Sequence, residues 1–216
     1  MSEKRILISP SILSADFTKL GAEIAELESC GADWIHCDVM DGVFVPNLTF
    51  GQKMIGDIRK ITKQFLDVHL MITEPSRYVA DFARNGADLI TVHYEACADL
   101  RQTLQAIRAE GKKVGVSIKP TTDPRVLEPY FDELDLVLVM SVEPGFGGQK
   151  FMPSALDKIR FLNFANRKFQ IEVDGGIGEG NAAEIIQAGA DILVAGNAVF
   201  RAADKAAVIA KLRGEK

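Results

Sequence analysis

Cysteine and histidine are scarce in this chain and no long hydrophobic run occurs, so several classes of protein fall away at once. Three cysteines in 216 residues, Cys30, Cys37 and Cys97, are odd in number and lack Cys-x-x-Cys spacing. A disulfide framework and a structural zinc cluster are therefore not expected, and a reducing cytoplasm is the simplest location. No stretch of eighteen apolar residues is present, and the first apolar run, Ile6-Leu7-Ile8, breaks at Ser9-Pro10. That is too short for a signal-peptide core, and neither export nor membrane insertion is expected. Basic blocks are missing as well, since 25 Lys and Arg face 30 Asp and Glu for a formal net charge of −5. Nucleic acid and anionic membranes are poor partners for such a surface, and an anionic substrate would need a local site. Without a Ser/Gly linker or a low-complexity segment, residues 1–216 read as one domain.

What is present is rhythm. Gly-Ala-Asp recurs at Gly31-Ala32-Asp33, Gly86-Ala87-Asp88 and Gly189-Ala190-Asp191, each time between a helical pattern and a short apolar run. Glycine just past a helix can adopt the left-handed conformation that closes it. The apolar runs are too short for helices and too continuous for one-sided strands, so they read as strands buried on both faces. Strands are expected at residues 6–11, 34–40, 65–71, 89–93, 114–118, 136–140, 169–173 and 192–195. Helical stretches are expected between them, among them 16–29, 75–85, 124–131 and 153–167. Eight alternating units without a linker predict a closed (β/α)8 barrel, with an open doubly wound sheet as the competitor.

Chemistry in such a barrel belongs at the carboxyl ends of the strands. All three histidines are expected there: His36, His69 and His93, ending strands 2, 3 and 4. The two-residue period of a strand turns His36, Asp38 and Met40 inward, along with Asp67, His69 and Met71 on strand 3 and Glu172 and Asp174 on strand 7. A single strand-end histidine is ordinarily a satisfied core or rim residue. A cluster is different: two histidines and two aspartates from strands 2, 3 and 7 match a His2Asp2 site for zinc, iron, manganese or cobalt. Buried carboxylates are otherwise costly unless paired.

Glycine gathers in VEPGFGGQKF after strand 6, VDGGIG after strand 7 and VAGNAVF after strand 8. Any one of these loops could be a tight turn. Three on adjacent strands suggest a phosphate cradle, because glycine lets an anion approach backbone amides. Met40, Met71 and Met140 end strands with inward parity, either as plain packing or as an apolar ceiling over a reacting carbon.

The segments SPSILSADF, WIHCDVMDGVFVPNLTFG, LDVHLMI, MSVEPGFGGQKF and IEVDGGI, in this order from Ser9 onward, resemble the ribulose-phosphate 3-epimerase family. The resemblance implies a ribulose-phosphate-binding (β/α)8 barrel, interconverting D-ribulose 5-phosphate and D-xylulose 5-phosphate in the pentose phosphate pathway. It implies one divalent metal ion per chain, zinc first, held by His36, Asp38, His69 and Asp174. Asp38 and Asp174 would be the acid/base pair acting through an enediolate that the metal stabilises. Ser11, His69 and the three methionines would meet the substrate. Phosphate would rest on Gly145-Phe146-Gly147-Gly148, Gly175-Gly176 and Gly196-Asn197. A cytoplasmic homo-oligomer, dimer or hexamer, is implied as well.

Lys119, Val43 and Asn197 stand where the family more often has asparagine, a polar residue and serine; Asn197 falls at the phosphate cradle. His93 is not a ligand in the family and is expected to be a rim histidine. Two rival readings share these residues: an epimerase for a six-carbon ketose phosphate, and a phosphate-binding barrel without catalysis. A barrel decarboxylase with an Asp-x-Lys-x-x-Asp strand is disfavoured, because Met40 stands at the lysine position.

Overall fold

Residues covered on both faces need not alternate with polar ones, and the eight apolar runs form eight short strands accordingly. They are β1 (Leu7–Ser9), β2 (Trp34–Met40), β3 (Phe65–Met71), β4 (Leu89–His93), β5 (Lys113–Ile118), β6 (Leu136–Met140), β7 (Gln170–Asp174) and β8 (Ile192–Val194). The computed structural model describes residues 5–164 and 167–215. From β2 to β8 each strand pairs in parallel with the next, and β8 returns to pair with β1. A shorter contact closes the remaining seam: Ser11 bridges His36, and the Asp33 and His36 amides donate to the carbonyls of Ile8 and Pro10. The closed barrel forms, and the open sheet does not.

Helices cover the outside: α1 (Leu20–Ser29), α2 (Gln52–Ile61), α3 (Val79–Arg84), α4 (Leu100–Ala109), α5 (Ala155–Leu162), α6 (Ala182–Ala188), α7 (Asn197–Phe200) and α8 (Lys205–Arg213). The main core lies between strands and helices, where outward residues such as Ile35, Cys37 and Val39 join Ile24, Leu27, Ile55 and Ile58. Inside the barrel, the first residues of four alternate strands, Trp34, Leu89, Leu136 and Ile192, fill the amino-terminal end. This is layered side-chain filling rather than a pore. Trp34 stacks on Phe65 with ring centroids 4.3 Å apart.

The Gly-Ala-Asp repeat has a mechanical reason. Asp33, Asp88 and Asp191 each send a backbone N–H to the preceding odd-numbered strand, at Ile8, Leu66 and Ile171. Their carboxylates accept the N–H of those same residues in return. Asp135 does the same with Val114, so a fourth clamp exists where the tripeptide is absent. An arginine backs every clamp: Arg5 and Arg213 on Asp33, Arg59 on Asp88, Arg108 on Asp135 and Arg167 on Asp191. The glycines of the three Gly-Ala-Asp segments, Gly31, Gly86 and Gly189, have positive φ. At Gly86 a Cβ would come within 2.5 Å of the Arg59 side chain, so the clamp also needs the missing side chain.

Several helices differ from expectation. The stretch from Asp16 opens with a 3-10 turn at Phe17–Lys19, and the one from Pro75 with a 3-10 turn at Pro75–Arg77. Between β5 and β6, Pro124–Glu133 is a run of 3-10 turns and not an α-helix. Pro129 inside it has no N–H to give, which breaks the α-helical ladder. The helix expected through Arg167 stops at Leu162, and positions 165 and 166 lie outside the described residues. Strand β7 is shifted one residue later than expected, so that Asp174 ends it.

Asp135→Ala should lower unfolding free energy by about 1–3 kcal/mol, because the Val114 N–H loses its acceptor at the strand start. Urea unfolding measures the loss. Turnover should stay near wild type, since the clamps sit at the opposite end of the strands from the chemistry.

Candidate active site

The alternation of β2 and β3 sends His36, Asp38, Asp67 and His69 into the barrel, and all four are buried. His36 does not end its strand as expected; it is the third residue of seven, fully buried halfway down the barrel. Asp38 lies one inward step above it, opposite His69 in the register of β2 and β3. Asp174 comes from β7 and is only partly buried. Donor atoms of His36, Asp38, His69 and Asp174 all lie within 4.8 Å of one another, so a single ion could touch all four. His36 Nε2 makes no hydrogen bond, although Asp38 Oδ1 stands 3.2 Å away. His69 Nδ1 faces the same oxygen at 3.1 Å. Two imidazole nitrogens and two carboxylates aimed at one point form a donor set that suits a divalent cation.

Protonation differs sharply across the cluster. Burial alone would lower the His36 pKa, but the Asp67 and Asp38 carboxylates outweigh it and raise it well above the ordinary value. Burial would likewise raise Asp38, yet the charge of His36 and the close approach of both imidazoles hold it far below the carboxylate range. Burial, reinforced by the charge of Asp38, pushes Asp174 up to about 7. One carboxylate is thus firmly ionised while its neighbour can hold a proton near neutral pH. The Ser11 hydroxyl donates to Asp38 Oδ2 at 2.5 Å and fixes that carboxylate.

Above the cluster opens a cavity of about 250 Å³. Ser11, Asp38, Asp174 and the methionines 40, 71 and 140 line it, and so do Gly145, Phe146, Gly147, Gly148, Gly175, Gly176, Gly196 and Asn197. His69, expected to meet substrate, is fully buried behind Asp38. The methionines form two groups rather than one ceiling: Met40 packs with Met71 and Val45, whereas Met140 packs with Leu138 and Val142 beside Asp174. Gly176 has φ +63°, and a Cβ there would lie 2.3 Å from the Phe151 backbone nitrogen. Asn197 Nδ2 sits 2.8 Å from where a Cβ on Gly148 would be, so the loops after β6 and β8 touch.

Three buried groups have contacts that sequence reasoning did not assign. Asp67 Oδ2 takes His36 Nδ1 at 2.5 Å, and Glu172 Oε1 is 3.8 Å from the same nitrogen. Burial and the Asp67 charge raise the Glu172 pKa well above its ordinary value. Inward parity had marked both residues but could not give their partners. His93 is not a rim histidine: it has no exposed surface and meets His69 directly. Burial pushes its pKa down to about 4.

A closed (β/α)8 barrel with two carboxylates beside buried histidines, beneath a glycine-lined cavity, has the arrangement of an active site at the carboxyl end of a barrel. Solved structures agree on the fold: 3-hexulose-6-phosphate synthase from Salmonella typhimurium superposes with a TM-score of 0.74 at 18% identity, covering 97% of both chains. A tryptophan synthase α-subunit variant from Pyrococcus furiosus gives 0.71 at 14% identity, covering 97% of this chain and 96% of that one. Sequence similarity is far closer to another group. The ribulose-phosphate 3-epimerase of Bacillus subtilis is 51% identical across 98% of this chain and 100% of its own, and that of Escherichia coli K12 is 45% identical across 98% and 96%. Residues 7–200 match the family model, and the chain belongs to the ribulose-phosphate 3-epimerase family, isomerases acting on carbohydrates.

Filling the four-residue donor set requires His36 and Asp174 to be unprotonated. Asp174 ordinarily titrates at 3.8 and is raised to about 7, so below neutrality its proton must leave as a cation enters. Zinc affinity should therefore fall as pH drops through about 7, with Asp174 and His36 both releasing protons at about pH 6 and His36 alone at about pH 8. Calorimetry in buffers of different ionisation heat counts those protons. The same proton count at pH 6 and pH 8 would remove Asp174 from the donor set.

Proposed function

We propose that the chain interconverts D-ribulose 5-phosphate and D-xylulose 5-phosphate by replacing the proton on carbon 3 from the opposite face. The observation that carries this reading is the carboxylate pair on β2 and β7, one ionised and the other able to hold a proton. Asp38 takes the proton from carbon 3, and the electron pair of the broken C–H bond moves towards the ketone oxygen. Asp174 delivers a proton to the other face and the C–H bond is made again. In the reverse direction the two exchange roles, and between turnovers in one direction Asp38 loses its proton and Asp174 regains one by exchange with solvent at the cavity.

His36, Asp38, His69 and Asp174 would hold one divalent cation, with zinc the first choice among zinc, iron, manganese and cobalt. Bound there, it supplies Lewis-acid stabilisation of the negative charge that develops on the substrate oxygens. The remaining work belongs to the chain. Ser11 orients Asp38, and the methionines on either side keep water from the reacting carbon. The phosphate lies against the backbone of Gly145 to Gly148, Gly175-Gly176 and Gly196-Asn197, where missing side chains permit close approach.

Removing either carboxylate should slow epimerisation in both directions by about 10²- to 10⁴-fold, the usual cost of a lost acid or base. In Asp174→Asn protein that retains its metal, Asp38 can still remove and return a proton on its own face. One epimer should then exchange its carbon-bound hydrogen with heavy water, seen by NMR, while the other does not. Equal exchange from both would point to a single mobile base.

Gly176→Val should raise KM for the ketose phosphate about tenfold or more, because a side chain there displaces the Phe151 backbone. Lys150→Ala should change KM less than about twofold if backbone groups carry the phosphate. Equal mild effects in two folded variants, checked by circular dichroism, would place the phosphate elsewhere.

A further inference from the structure

His93 closes β4, and its imidazole meets His69 nitrogen to nitrogen, with the two Nε2 atoms 2.9 Å apart. Such a contact needs one N–H and one lone pair. On the far side of the ring, His93 Nδ1 lies 3.2 Å from Glu95 Oε2, which a 3-10 turn at Tyr94–Ala96 brings back against it. The other oxygen of Glu95 is already engaged: it accepts the Lys119 backbone N–H at 2.8 Å and the Thr122 hydroxyl.

An ionised carboxylate only accepts, so the proton on His93 sits at Nδ1 and its Nε2 presents a lone pair. His69 must then donate from Nε2, which leaves the lone pair of His69 at Nδ1. That atom is the one 3.1 Å from Asp38 Oδ1, on the side of the cation donor set. Asp38 by itself would ask for an N–H there, so this is the proton order of the cation-loaded site, where a positive charge replaces that proton. The opposite proton order would aim an N–H at the cation. In an imidazole, the hydrogen bond made by one nitrogen decides what the other can do.

We propose that Glu95 and His93 are positioning residues that set the proton order of His69 and so present its Nδ1 lone pair to the divalent cation. The inference rests on the cation reading above, and it gives His93 a part in a site to which the family's ligand set does not assign it. Neither residue touches the reacting carbon. Their effect is read in metal affinity and in the position of a proton.

Glu95→Gln is the decisive variant, because it keeps size and shape. Two donors, from Lys119 and Thr122, hold the amide carbonyl on their side, which turns the –NH2 towards His93 Nδ1. That nitrogen must then accept, and the proton order of both histidines reverses. Zinc affinity, measured by chelator competition, should fall about 10- to 100-fold, the usual effect of losing a residue that orients a ligand. Nitrogen NMR of the zinc-loaded wild type, with labelled histidine, should place the His93 proton on Nδ1 and the His69 proton on Nε2. A purely structural role for Glu95 would not move these protons. Equal zinc affinity in wild type and variant, or a wild-type His93 proton found on Nε2, would overturn the inference while leaving the cation reading intact. Wild-type protein that binds no zinc, or binds it as tightly after His36→Ala, would overturn both.

Discussion

Four carboxylates gather around one fully buried imidazole, and the interior of this barrel is arranged around that fact. His36 has Asp67 and Glu172 on its Nδ1 side and Asp38 on its Nε2 side. Asp174 stands within the same small cluster of donor atoms. So many like charges cannot all be ionised without opposite charge beside them. In the protein alone, protons solve the problem: His36 keeps an extra one, Glu172 holds one and Asp174 can hold one near neutrality. A divalent cation held there would solve it differently, by taking the place of protons at the upper end. The site is electrostatically poised for either occupant.

The two ends of the barrel divide the work. At the amino-terminal end, four aspartates tie alternate strands to their neighbours through paired hydrogen bonds, each backed by arginine. Apolar side chains fill the space above them. The carboxyl end carries loops short on side chains and a cavity in place of packing. Stability secured below allows the upper end to hold unpaired groups, such as the free Nε2 of His36, that would be destabilising elsewhere.

Histidine does two jobs at different depths. His36 and His69 reach the donor set with different ring nitrogens, Nε2 and Nδ1. Each uses its other nitrogen on a further buried partner, Asp67 for one and His93 for the other. These outer contacts fix ring orientation, and for an imidazole orientation and proton position are one problem.

Much of this was legible along the chain. Eight apolar runs gave the barrel because burial on both faces leaves a continuous signature, and strand parity alone put His36, Asp38, His69 and Asp174 inside. The Gly-Ala-Asp repeat marked the helix-to-strand joints, yet its purpose stayed hidden, since the clamp bonds each aspartate to a strand at least 20 residues away. The clamp at Asp135 carried no repeat to announce it. The 3-10 path from Pro124 was written in Pro129, where a missing N–H outweighs helical periodicity. Burial depth was another matter. His36 and His93 were placed at strand ends by local pattern, whereas only the closed barrel buries one halfway down and sets the other against His69. Sequence fixes which way a side chain points along a strand, because that follows from a period of two. What it meets there depends on the stagger between strands and the closure of the sheet, and those are properties of the whole chain folded at once.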